Sequence, residues 1–164
     1  MEDKRSMTMA EIMTPDKANF SGHVHGGHVL SLLDKVAYAC ASHYSGQYVV
    51  TLSVDQVLFK QPIHVGELVT FLASVNYTGN SSMEVGIKVV AENLLTGEAR
   101  HTNSCYFTMV ALDKNGKPVK VPPLVIRDDK DRYRNEEAKL RKQHRISYNE
   151  QHQAHKAKTR GLRE

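Results

Sequence analysis

The chain has 164 residues, of which 40% are apolar and 24% charged. That is the length of one ordinary domain, enough to bury a core without disulfides or a structural metal, and a composition that excludes a disordered chain. The net charge of +4 is lopsided: residues 1–126 carry 10 basic and 11 acidic side chains, residues 127–164 carry 12 and 7.

No stretch approaches the roughly 18 apolar residues that a membrane helix needs, and the opening MEDKRSMTM lacks the apolar run of a secretory signal. Cys40 and Cys105 sit in apolar company with no CxxC spacing, which fits a reducing cytoplasm and argues against a cysteine-ligated metal. The basic tail lacks interleaved aromatics and nucleic-acid motifs, so it reads as a solvated helix with no specific nucleic-acid or membrane partner.

Residues 6–13 read as a first strand closed by Pro15. A glycine-rich loop follows, and residues 28–43 read as one helix with apolar or small side chains on nearly every face. Such a helix is predicted to be buried all round, with Gly46 as its stop. From Tyr48 to Leu112 everything reads as strand: YVVTLSVDQVLF, LVTFLASVNY, MEVGIKVVAENLL and ARHTNSCYFTMVAL, broken by turn signals at Pro62 and Gly66, TGNSS, TGE and DKNGK. Short turns between successive strands predict an antiparallel meander. One buried helix with five or six antiparallel strands makes an α+β fold in which a curved sheet wraps the helix. The sheet cannot cover the whole helix and has open edges to protect, so a homodimer is expected. Two prolines after Val119 end the sheet. The tail is predicted to be helical at its start and frayed or disordered from Ile146.

The chemistry concentrates in residues 19–34, NFSGHVHGGHVLSLLD. Asp34 stands in a helix that otherwise avoids charge. Burying a carboxylate is costly, so it is either a functional acid or one paired with Lys35 or a backbone group. Gly26 and Gly27 open the helix, where unpaired N–H groups and the dipole suit an oxyanion. They equally suit tight packing, and the pattern fits neither a phosphate-binding loop nor a dinucleotide fingerprint. His23, His25 and His28 form H-x-H-x-x-H without a completing carboxylate nearby, so they are read as packing or hydrogen-bonding residues and no metal is assigned.

In this segment the chain resembles the hotdog-fold acyl-CoA thioesterases, specifically the bacterial acyl-CoA hydrolase group. Asn19, Gly22, Gly26, Gly27 and Asp34 carry the pattern, and the likeness extends over roughly residues 6–125. It implies a hotdog domain over 1–126, with the charged tail, 127–164, outside it. It implies hydrolysis of acyl-CoA to fatty acid and coenzyme A with no cofactor, at sites shared between the subunits of a dimer, commonly a trimer of dimers and so a hexamer. Asn19 and Asp34 match the paired catalytic positions, one from each chain. Asn80 departs from the basic residue the family often carries there.

On this reading Asp34 activates water, or attacks directly to give an anhydride. The N–H groups of Gly27 and His28 hold the oxyanion, and Asn19 orients the water or polarises the carbonyl. Coenzyme A lies near Gly26, Asn80, Ser81 and Ser82, and Arg127, Lys130, Arg132 or Arg134 reach its phosphates. The acyl chain passes Leu30, Leu33 and Tyr38. Two other readings stay open: a hotdog hydratase or dehydratase using His25 or His28, and a non-catalytic acyl-CoA or nucleotide sensor in which Asp34 only pairs.

Overall fold

A computed structural model of the chain describes residues 4–159. Its elements run β1 (Ser6–Ile12), a short 3₁₀ turn at Pro15–Lys17, α1 (Gly26–Ser45), β2 (Tyr48–Val54), β3 (Leu68–Thr78), β4 (Ser82–Glu92), β5 (Ala99–Leu112) and α2 (Asp129–Thr159). The chain divides into two compact units, Met1–Leu124 and Val125–Glu164.

In the first unit the five strands form one antiparallel sheet in the order β1-β3-β4-β5-β2. The expected meander holds for β3, β4 and β5. It fails between β2 and β3, because β2 pairs with β5 at the edge and residues 55–67 carry the chain across the sheet. Register shifts at Thr51/Ser53, Val75/Tyr77 and Val89/Val90 bend the strands, since each bulge kinks its strand and increases the local twist.

The helix α1 packs into the concave face and touches all five strands. Val29, Leu33, Val36, Ala37, Cys40 and Ala41 are buried, a stripe at helical spacing. They meet Val69, Phe71, Val85, Ile87, Phe107 and Met109 among others. As expected of one sheet, this one leaves part of the helix uncovered: Leu30 is 40% exposed, Tyr38 is 43% exposed, and Asp34 lies exposed between them. One five-stranded sheet covers one side of a helix and leaves the other to solvent. Gly46 ends α1 in the left-handed region (φ 67°), its N–H donating to Ser42 O, the role for which glycine is the preferred residue.

The loop between β1 and α1 is fastened at both ends to the turn before β3. Met13 N–H donates to Glu67 O at 2.9 Å and Gly66 N–H to Met13 O at 2.7 Å; at the other end Val24 N–H donates to Ile63 O at 2.8 Å. The turn itself closes on the buried Glu67 carboxylate, which accepts His64 N–H (2.8 Å) and both Nη groups of Arg100 (2.6 and 2.8 Å). Burial raises the Glu67 pKa, but the hydrogen bonds and charge of Arg100 and the His64 N–H outweigh it and hold the carboxyl below its ordinary value.

In the second unit α2 runs unbroken to Thr159. Residues 146–159, expected to fray, are helical. Asp128 caps the helix start by accepting Asp131 N–H at 2.7 Å. Acidic residues fill the first turn and Lys156 and Lys158 the last, the arrangement the helix dipole favours.

Leu33 is fully buried, so Leu33→Ala is expected to cost about 2–5 kcal/mol in chemical denaturation. Because the folded Glu67 carboxyl sits below its ordinary value of 4.5, the unfolded chain protonates first on acidification. The stabilisation is complete above that value and is lost as pH falls through the folded one. Unfolding midpoints taken from pH 6 down to about pH 3 are expected to fall, and Glu67→Gln to fall less steeply; equal slopes would refute the assignment.

Candidate active site

The start of α1 is built around His25. Its backbone is extended (φ −65°, ψ 127°) and its Nδ1 accepts Gly27 N–H at 3.0 Å, so the imidazole caps the helix. Accepting at Nδ1 puts the proton of the neutral ring on Nε2. His28 N–H and Val29 N–H both turn to His25 O, at 2.9 and 3.2 Å. The two N–H groups expected to receive an oxyanion, those of Gly27 and His28, thus have protein acceptors in this chain. Gly26 N–H, one residue earlier, has none among the described residues. A Cβ on Gly27 would lie 3.2 Å from the His25 ring and one on Gly26 3.6 Å from Phe59. Both glycines therefore sit under aromatic rings, and Gly27 leaves room for the cap.

On the exposed face of α1, Asp34 Oδ1 accepts the Thr51 hydroxyl at 2.6 Å. Neither Lys35 nor a backbone group partners it, and within one chain the carboxylate is exposed. The second oxygen, Oδ2, has no hydrogen-bond partner among the described residues. Thr51 reaches Asp34 because β2 runs alongside α1 and its bulge at Thr51/Ser53 re-aims the strand just past this residue. A cleft of about 390 Å³ opens here, lined by Asp34, Lys35, Tyr38, Tyr48, Val50 and Thr51. Tyr38 and Tyr48 meet edge to face at its side, ring centroids 6.3 Å apart. Thr51 carries no signal in the sequence, where a hydroxyl in a β-branched strand looks ordinary.

Asn19 sits in a loop that its own side chain ties together. Its Oδ1 accepts Ser21 N–H (2.9 Å), the Ser21 hydroxyl (2.8 Å) and His23 N–H (3.1 Å). Three converging donors fix which end of the amide is oxygen. The amide Nδ2 is what remains, so Asn19 can donate but has no oxygen left to accept from a water. Gly22 makes the turn at φ 80°.

The histidines divide into separate tasks. His23 packs its ring on His64 at 5.2 Å, His25 caps α1, and His28 has its Nε2 sealed from solvent without a hydrogen bond. The thiols of Cys40 and Cys105 are pushed up to about 12 by burial, which removes them as nucleophiles. Leu33, expected along an acyl path, is fully buried and lines no cleft; Leu30 and Tyr38 are exposed.

Asn80, Ser81 and Ser82 lie in the β3–β4 turn. Val121 N–H donates to Asn80 O and Ala111 N–H to Ser81 O, which places the turn beside the end of β5, where α1 also finishes. Gly26–His28 begin α1, 20 residues long and thus roughly 30 Å from end to end. One chain does not bring the two groups together. In the second unit, Arg127 pairs with Asp131 and Arg132 with Asp129, both at 3.1 Å, while Lys130 is exposed and Arg134 half-buried.

A profile of the thioesterase superfamily matches residues 21–98. The chain is 57% identical over 120 residues to protein VdlD of Helicobacter pylori, covering 73% of this chain and 68% of that one. Among solved structures, an apo-hexameric acyl-CoA thioesterase superimposes with a TM-score of 0.85 at 35% identity, covering 88% of this chain and 92% of the other. An acyl-CoA hydrolase from Staphylococcus aureus, in complex with butyryl coenzyme A, coenzyme A and coenzyme A disulfide, superimposes with a TM-score of 0.83 at 29% identity, covering 91% of each chain. Alanine variants of that hydrolase at an asparagine, an aspartate and a threonine have also been solved. Those three stand 15 and 17 residues apart, the spacing from Asn19 to Asp34 and from Asp34 to Thr51.

Proposed function

The chain belongs to the thioesterase superfamily, among the hotdog-fold acyl-CoA hydrolases, and we propose that it hydrolyses acyl-CoA to a fatty acid and coenzyme A with Asp34 as general base at a site shared by two copies. The observation that carries this reading is the Thr51–Asp34 hydrogen bond on the open face of α1. Thr51 holds Oδ1, so Oδ2 faces the cleft as an acceptor for water.

Water attacks the thioester carbon as its proton passes to Asp34 Oδ2. The carbonyl oxygen becomes an oxyanion, received by the start of α1. There Gly26 N–H has no competing acceptor, and Gly27 N–H joins it once His25 Nδ1 lets go; His28 N–H stays with His25 O. Asn19, with Oδ1 committed, donates from Nδ2 to the same oxygen. Collapse of the tetrahedral adduct breaks the C–S bond, and the proton on Asp34 returns to the departing thiolate. Direct attack by Oδ2, forming an acyl anhydride that water then opens, uses the same atoms.

A second copy completes the site. The β2 edge is unpaired on one side; Tyr48 and Leu52 on it and Leu30 and Tyr38 on α1 are exposed. Edge-to-edge pairing across β2 satisfies the backbone groups, covers these side chains and brings Asn19 of one chain to Asp34 of the other. It also supplies Asn80, Ser81 and Ser82, stranded at the far end of α1, as coenzyme A contacts from the partner. The hexameric relative supports a trimer of such dimers. Residues 1–126 carry the reaction and 127–164 are an appendage to it. Among the described residues no helix is long and apolar enough to cross a membrane, and the two unpaired thiols suit a reducing cytoplasm. The hydratase reading would need His25 or His28 as base; in this chain His25 Nδ1 accepts Gly27 N–H and His28 Nε2 is sealed from solvent, which favours the hydrolase reading.

Asp34→Asn keeps the shape and the bond from Thr51 but removes the base. Its kcat for acyl-CoA is expected to fall about 10²–10⁴-fold with assembly intact by size-exclusion chromatography; a kcat within about threefold of the parent would refute the role. Mixing Asn19→Ala with Asp34→Ala protein should restore activity, because exchanged dimers hold one site with both residues intact. Exchange seen by mass spectrometry without recovered thiol release would mean that each site is built within one chain.

A further inference from the structure

We propose that Glu67 and Arg100 are a positioning pair for Asn19, fixing the amide that donates to the thioester carbonyl. This rests on the reading of Asn19 given above and adds two residues to it.

The Asn19 loop is closed by a bridge between Ala18 and Val24. Phe20 at its tip is fully exposed, and Ser21 and Gly22 are exposed beside it. Packing therefore does not locate the tip. Its internal shape comes from Asn19 Oδ1 and the Asn19 N–H to His23 O bond. Lys17 ties its near side to Glu11 and Ile12 of β1 and to His25 N–H, and the rest of its placement comes from its two ends. Both ends are attached to one turn: Met13 exchanges hydrogen bonds with Gly66 and Glu67, and Val24 bonds to Ile63 with the His23 ring on His64.

That turn is tied to the sheet through Glu67. Its side chain is 7% exposed, and both oxygens are used, Oε1 by Arg100 Nη1 and Oε2 by Arg100 Nη2 and His64 N–H. Arg100 Nη2 also donates to Pro62 O at 2.8 Å and lies 3.1 Å from His64 Nδ1. The guanidinium thus grips the turn at its first residue, its middle and its last. Arg100 itself stands in β5, paired with Ala91 of β4. The chain of support runs from the sheet through a planar two-point ion pair to the turn and so to the asparagine. Lysine offers one charge point in place of that fork.

A misplacement of about 1 Å at a reacting group can cost about 10²-fold in rate. The test compares Glu67→Gln and Arg100→Lys in the parent and in Asn19→Ala, assayed by thiol release from acyl-CoA well below each unfolding midpoint. In the parent, each is expected to lower kcat by roughly tenfold or more with KM within about threefold. In Asn19→Ala, neither should lower kcat further, because the group they position is gone. Arg100→Lys keeps the charge and tests the fork where Glu67→Gln folds poorly. The proposal is overturned if both variants lower the unfolding midpoint yet leave kcat within twofold, or if their losses multiply with that of Asn19→Ala. An Asn19→Ala enzyme with parental kcat would overturn the reading of Asn19 and this proposal together; that outcome is distinct, since failure of the pair alone leaves Asn19→Ala impaired.

Discussion

Five strands can wrap one side of a helix, and everything about this site follows from the side they leave uncovered. The buried stripe of α1 is Val29, Leu33, Val36, Ala37, Cys40 and Ala41. The opposite stripe is Leu30, Asp34 and Tyr38, spaced by one turn each and all exposed. A carboxylate on the buried stripe would face several kcal/mol of desolvation; Asp34 instead stands on the open stripe, exposed within one chain. The same geometry gives the strand beside that stripe an unpaired edge. The exposed carboxylate and the unpaired strand edge thus share one surface.

The polar groups around this surface divide by what their neighbours leave them able to do. Thr51 takes one oxygen of Asp34, which orients the other. The loop takes the oxygen of Asn19, which leaves a donor. His25 takes Gly27 N–H at the helix start, which leaves Gly26 N–H there without an acceptor among the described residues. In each case a hydrogen bond within the chain fixes the role of the atom that is left.

Much of this architecture is legible from residue pattern. The helix read over 28–43 lies within Gly26–Ser45, with Gly46 at its end, and ARHTNSCYFTMVAL is β5 residue for residue. These elements are long and strongly patterned. The placing of β2 beside β5 was not legible, because Pro62 and Gly66 signal a break in the strand without saying whether the chain turns back or crosses. The far half of α2 was misread because polar composition resembles a disordered tail, although its capped start and oppositely charged ends suit a long helix. At the site, Asp34 is legible as the acid in a helix that otherwise avoids charge, and Asn19 only through the resemblance to the hotdog-fold thioesterases. Thr51 and the cap by His25 are not legible, since each depends on a neighbour set by the fold: a bulge in β2 for one, the helix entry angle for the other.

Both cysteines lie in the core, their thiols pushed up to about 12. Only a thiolate attacks a disulfide, and burial holds both thiols in the neutral form at neutral pH. Hydrolysis of a thioester, the reaction named for the acyl-CoA hydrolases this chain resembles, releases a free thiol whose oxidised dimer is a ready partner for exchange. A protein with an accessible, ionised cysteine would accumulate mixed disulfides with its own product. Here the fold keeps Cys40 and Cys105 out of that exchange by burying them.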